Sequence, residues 1–186
     1  PAAYPPQLTA GTSYSYRGTG TLVAHATDSV DSGNSVCAGI NENTQNFPTP
    51  DQGVFYVGVV FPNHQILAAG YIRRNGRRAD FASIQNEDGS GRAGHTGGDP
   101  GAGSHNYCVS RSGSAWVMTR DGSELYSTTR EAANDVHGAE LKFVNNVGPS
   151  VEGAAGVPTT LVVPGFHDIT VGGQPPRQLR GATFYL

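Results

Sequence analysis

Between Val54 and Glu87 the apolar positions fall into three runs separated by two short polar breaks. VFYVGVVF is the first run, QILAAGYIRR the second and ADFASIQ the third, with Pro62-Asn63-His64 and Asn75-Gly76 at the breaks. Both residues of an Asn-Gly pair tolerate the positive φ of a type I′ turn, so this pattern predicts a three-stranded antiparallel meander. Any function then belongs to a sheet face or a loop rim.

The rest of the chain repeats the theme. Residues 14–26 (YSYRGTGTLVAHA) alternate as a strand, 28–34 read as a polar turn, and 36–40 form a short strand carrying Cys37. After a polar loop at 41–52 comes the meander. Residues 87–106 (EDGSGRAGHTGGDPGAGSHN) hold seven glycines and no large apolar side chain, which predicts a surface loop. Further strands are expected at 107–110, 114–119, 123–129, 139–145, 157–163, 168–171 and 182–186, with a turn at Arg120-Asp121-Gly122. Only 131–136 reads as a helix, of about one turn. Many short strands with frequent turn signals indicate an all-β antiparallel β-sandwich or jelly roll. Residues 1–13 are proline-rich and read as an extended N-terminal segment, and 14–186 as a single β-sandwich domain.

Composition narrows the classes of partner. The net charge is −3 and the eleven arginines are scattered, so no basic stripe is present for nucleic acid and none is expected to bind. Arg73, Arg74, Arg77 and Arg78 flank the Asn75-Gly76 turn, where a solvated hairpin tip explains them as well as a binding patch does. No apolar run approaches the roughly 20 residues of a membrane-spanning helix. The two cysteines, Cys37 and Cys108, lack metal-motif spacing and are expected to form one disulfide. With a chain that starts at Pro1, this points to an exported, extracellular protein.

Candidate chemistry is sparse. Glu140 lies mid-strand beside Lys142, its i+2 neighbour on the same face, either as a solvated ion pair or as part of a binding floor. His95, Asp99 and His105 share the glycine-rich loop, where they read as solvent-facing residues or as the makings of a cation site. No metal motif, nucleophile elbow or complete triad is present, and no cofactor is expected. Trp116, Tyr56, Tyr71, Tyr107 and Tyr126 are spread through the strands, as core residues or as platforms for sugar rings.

In order, the segments Tyr56-Val57-Gly58, Leu67-Ala68-Ala69-Gly70, Phe81-Ala82-Ser83-Ile84-Gln85, Ala139-Glu140 and Phe166-His167-Asp168-Ile169-Thr170-Val171 resemble the glutamic peptidases. The resemblance covers about two thirds of the chain and implies a concanavalin-like jelly roll. It places Glu140 where that family has its general base, but Ala68 stands where the family has its catalytic glutamine. An oxyanion donor would then have to come from Gln85.

Two functions follow as expectations. The first is a non-catalytic module that binds glycan or peptide, or associates with other chains, through Tyr56, Ser83, Gln85, Trp116 and Lys142. The second is a hydrolase with Glu140 as general base and Gln85 as oxyanion donor. The acid-labile Asp99-Pro100 bond in a surface loop weighs against an enzyme working at low pH.

Overall fold

The computed structural model describes residues 2–3, 13–16, 20–25, 35–41, 52–61, 63–74, 77–86, 90–129, 138–145, 159–162, 165–174 and 183–185. Fifteen strands run through them: β1 (Ala2–Ala3), β2 (Ser13–Tyr16), β3 (Gly20–His25), β4 (Ser35–Asn41), β5 (Gln52–Val60), β6 (Gln65–Arg74), β7 (Arg77–Asn86), β8 (Ala93–Thr96), β9 (Ser104–Ser112), β10 (Ala115–Arg120), β11 (Ser123–Thr128), β12 (Gly138–Asn145), β13 (Thr159–Val162), β14 (Gly165–Val171) and β15 (Thr183–Tyr185). They form an eight-stranded sheet in the order β1-β15-β3-β12-β5-β6-β7-β8, a five-stranded sheet β11-β10-β9-β4-β14, and a β13-β2 pair. Every pairing is antiparallel, and the molecule is an all-β, concanavalin-like jelly-roll sandwich.

The meander forms as its pattern predicts, with β5, β6 and β7 paired in sequence from Gln52↔Arg74 to Gln65↔Asn86. At its first turn the Asn63 side chain accepts a bond from the Gln65 N–H at 3.1 Å, and His64 takes a φ of 64°. The hairpin joining β10 to β11 turns on Asp121 (φ 47°) and Gly122 (φ 82°), the two positive values of a type I′ turn. The Asn75-Gly76 turn and the helix at 131–136 lie outside the described residues.

Two expectations change. The stretch 14–26 divides between β2, in the two-stranded pair, and β3, in the eight-stranded sheet. The glycine-rich segment is not loop throughout, because Ala93–Thr96 pairs with Ile84–Phe81 as β8, and β9 begins at Ser104. Glycine makes that edge possible: a Cβ on Gly94 would collide with the Ala82 carbonyl and the Ser83 Cα of β7.

The core lies between the two large sheets. Val36, Ala38 and Ile40 of β4, Tyr107 and Val109 of β9, and Trp116 and Met118 of β10 are fully buried, each set at alternate positions. Facing them are Val57, Val59, Leu67, Ala69, Ala82 and Ile84, with Phe61 after β5 packed edge-on against the Trp116 ring at 5.8 Å. Cys37 and Cys108 are register partners in β4 and β9 and form the expected disulfide.

Candidate functional site

The pleat decides which residues share the other face of the eight-stranded sheet. Phe61 and Asp80 reach across to Trp116 and Tyr107, so the residues in step with them face inward. The alternate set lies on the outer face and assembles into rows across the strands. One row runs His25, Glu140, Gly58, Ala68, Ser83, Gly94. The next runs Val23, Lys142, Tyr56, Gly70, Phe81, Thr96, and Val60, Ile66 and Gln85 form a third on the opposite side. Glu140, Lys142, Tyr56, Ser83 and Gln85, scattered over the sequence, thus share one face.

The middle of that face is a closed apolar floor. Tyr56, Ile66, Ala68 and Phe81 form a buried cluster against which Val60 and Ile72 pack, and the Tyr56 and Phe81 rings meet edge-on at 6.0 Å. The small residues of the Glu140 row permit this. A Cβ on Gly58 would stand 3.3 Å from both the Tyr56 ring and Ile66 Cγ2, so these side chains fill the space that glycine leaves. Arg92 covers part of the Phe81 ring at 5.7 Å.

Burial sorts the expected contacts. Tyr56 is 2% and Ser83 0% exposed, so both belong to the floor and present no contact surface, whereas Gln85 is half-buried. Trp116 is corrected outright: at 0% exposed it belongs to the core between the sheets and cannot serve as a platform for a sugar ring.

The glycine-rich loop belongs to a second polar region, at the far end of the sandwich from Trp116. Buried Asp80 accepts a bond from the Tyr107 hydroxyl at 2.7 Å and pairs with Arg120 at 2.7 Å. Burial first, then the bond to Asp80 and its negative charge, push the Tyr107 phenol far above its ordinary range. Asp121 binds the His105 Nδ1 at 2.7 Å and accepts the Asn106 N–H at 2.8 Å. Burial acts to raise the Asp121 carboxyl, but the bonds from His105 and Asn106 and the charges of His105 and Arg120 outweigh it and hold it below its ordinary value. Asp99 accepts from Gly101 N–H at 2.8 Å and pairs with Arg78 at 3.2 Å.

These bonds tie the 97–103 segment down. His105 Nε2 reaches the Gly101 carbonyl at 3.2 Å, and the Asp80 main chain bonds both Gly97 and Gly98. The candidate cation residues are therefore spent on different partners: Asp99 on Arg78, and His105 on Asp121. Among the described residues no three His, Cys, Asp or Glu side chains converge as a metal site. Sequence reasoning missed Asp80 and Arg120, since an Asp within an apolar strand and an Arg after another carry no motif. The one available signal was a carboxylate inside a run that the pattern buries.

No protein-family model matches the chain, and no curated protein does. Solved structures do match its fold. One, reported for endo-acting O-glycanases that prominent members of the human gut microbiota express to initiate mucin breakdown, is 11% identical. It covers 84% of this chain and 73% of its own, with a TM-score of 0.52. A beta-1,3-glucanase from Mycobacterium marinum is 10% identical over 89% of this chain and 74% of its own, at 0.48. A homodimeric agglutinin from chicken liver is 11% identical over 75% of this chain and 99% of its own, at 0.46. At these identities the likeness is one of fold.

Proposed function

We propose that this chain is an exported, non-catalytic β-sandwich module that binds glycan on the outer face of its eight-stranded sheet. The observation that carries this reading is the register that brings Glu140, Lys142 and Gln85 to one face, around the floor of Tyr56, Ile66, Ala68 and Phe81. Charged and amide residues gathered on one face suit the hydroxyls that a sugar offers at its edge. The fold shared with the O-glycanase structure supports glycan as the ligand class. Export is supported by the Cys37–Cys108 bridge, since such bonds persist in oxidising compartments.

Glutamic-peptidase chemistry fits poorly. In the Glu140 row the position two strands away is Ala68, a methyl group where an amide is needed. Gln85 lies three strand spacings away, roughly 14 Å, and in the next row. That separation argues against both residues acting on one carbonyl group.

Glycan-array binding followed by calorimetry on the best ligand tests the reading, with Glu140→Gln and Lys142→Met beside the unaltered chain. Each variant is expected to fold and to bind about tenfold more weakly, a loss of about 1.4 kcal/mol. A peptide-library digestion from pH 2 to 8 is expected to show no cleavage. Cleavage abolished by Glu140→Gln would overturn the non-catalytic reading. Binding to peptides and to no glycan would overturn the ligand class.

A further inference from the structure

Both ring nitrogens of His105 face acceptors. Nδ1 lies 2.7 Å from Asp121 Oδ2, and Nε2 lies 3.2 Å from the Gly101 carbonyl oxygen. A neutral imidazole has one N–H and carries a lone pair on its other nitrogen, so it can make one of these bonds and not both. Only the imidazolium donates to the two partners at once. The neighbouring charges favour that form. Asp80 of β7, in the opposite sheet, pairs with Arg120 at 2.7 Å, and Arg120 Nε stands 4.0 Å from Asp121 Oδ2. Asp80, Arg120, Asp121 and His105 therefore form a row of alternating sign, which a charged His105 completes to neutrality. Without that charge the row is left with one negative charge in excess. The His105 side chain is 18% exposed and that of Asp80 3%, so solvent screens the row only in part.

The bond to Gly101 is what His105 contributes to the segment between β8 and β9. Residues 97–99 are anchored without it, by the Asp80 main chain at Gly97 and Gly98 and by the pair of Asp99 with Arg78. Beyond them the attachment is slight. Gly101 donates its N–H to Asp99 Oδ1 at 2.8 Å and accepts from His105 at its carbonyl. Gly101 and Gly103 take φ values of 87° and 97°, a Cβ on either would meet nothing within 4 Å, and Ala102 is exposed, so packing adds little there. Once Nε2 gives up its proton, its lone pair faces the Gly101 oxygen, and an attraction becomes a repulsion. Histidine is the side chain suited to make this change between pH 5 and 8.

We propose that His105 is a pH-sensitive latch, which in its charged form ties residues 101–103 to the turn between β10 and β11 and on losing its proton releases them. Asp121 retains the Nδ1 proton, so the ring stays on the hairpin turn and only the Gly101 end opens. The latch shares no residue with the outer face of the eight-stranded sheet, so it and the glycan-binding reading can fail separately.

Nuclear magnetic resonance on the full, isotope-labelled chain from pH 5 to 8 tests this. At pH 5 the His105 ring is expected to carry two N–H groups, and the Ala102 and Gly103 amides to show order parameters of about 0.85, as rigid backbone does. At pH 8 the Nε2 proton should be gone and both order parameters should fall below about 0.6, while Gly97 and Gly98 stay rigid. His105→Gln cannot gain a charge, so residues 102 and 103 should move alike at the two pH values. Asp121→Asn removes the nearest carboxylate and should bring the release to lower pH. His95 is the other imidazole near the segment, beside Gly97, and His95→Gln should leave the response unchanged. A single N–H on the His105 ring at pH 5 would overturn the proposal. So would equal order parameters at pH 5 and 8 in the unaltered chain, a reading that needs no variant to fold, or a pH response that survives His105→Gln.

Discussion

Asp80 shows how a single buried charge organises one end of this molecule. It is 2% exposed and is satisfied by Arg120 and by the Tyr107 hydroxyl. Removing one partner of a buried pair costs far more than the pair contributes, because the remaining charge is left in a medium that solvates it poorly. Arg120→Met is therefore expected to destabilise by about 3–5 kcal/mol, and Tyr107→Phe by about 1.5–3 kcal/mol, read from urea denaturation midpoints at pH 7. A smaller loss for Arg120→Met than for Tyr107→Phe would show that water, not Arg120, solvates Asp80. Asp121 sets the acid limb of the same network. Its folded carboxyl titrates below the unfolded value of 3.8, so its contribution is complete above that value and disappears as pH falls through the folded one. Asp121→Asn should accordingly lower stability at pH 7 and flatten the decline as pH falls below 3.8. Parallel decline in the two proteins would rule this contribution out.

Strands β5, β6 and β7 are apolar on both faces, and they need glycine where most strands avoid it. At Gly58 a Cβ would stand 2.8 Å from the Leu67 carbonyl of the neighbouring strand, with Tyr56 and Ile66 both closing over the same space. A methyl group there must push the backbone of β6 or reopen the Tyr56–Ile66 contact. Gly58→Ala is expected to destabilise by about 1–3 kcal/mol, the usual range for overpacking, with Tyr56 losing its fixed packing. Thermal denaturation together with near-ultraviolet circular dichroism would detect both effects. An unchanged midpoint would mean that the outer-face cluster yields more easily than its packing implies. The strands themselves were legible in the sequence because alternation and turn chemistry are local. The β8 edge was not, because its four residues (AGHT) carry no strand propensity and owe their place to a neighbour that only a glycine can approach.

The two sheets are held by the core of Trp116, Phe61, Tyr107 and their neighbours, and the five-stranded sheet by a covalent staple. Cys37 and Cys108 are 71 residues apart, and in the chain-entropy picture closing such a loop removes about 4 kcal/mol of freedom from the unfolded chain. Replacing both cysteines by serine is expected to lower the unfolding free energy by that order while leaving the fold intact. A fluorescence-monitored urea titration would measure the loss, and an unchanged midpoint would show that the unfolded chain is already restricted there. The sequence by itself determined the all-β class, the meander, the hairpin at Asp121-Gly122 and the cysteine pairing, because each depends on alternation, turn residues or simple counting. Only the tertiary structure decided which way each face turns. Register placed Glu140, Lys142 and Gln85 on one face, made Tyr56 and Ser83 part of its buried floor, and buried Trp116 in the core. A strand's alternation separates two faces without saying which one meets another sheet, and that assignment comes only from strands distant in the chain.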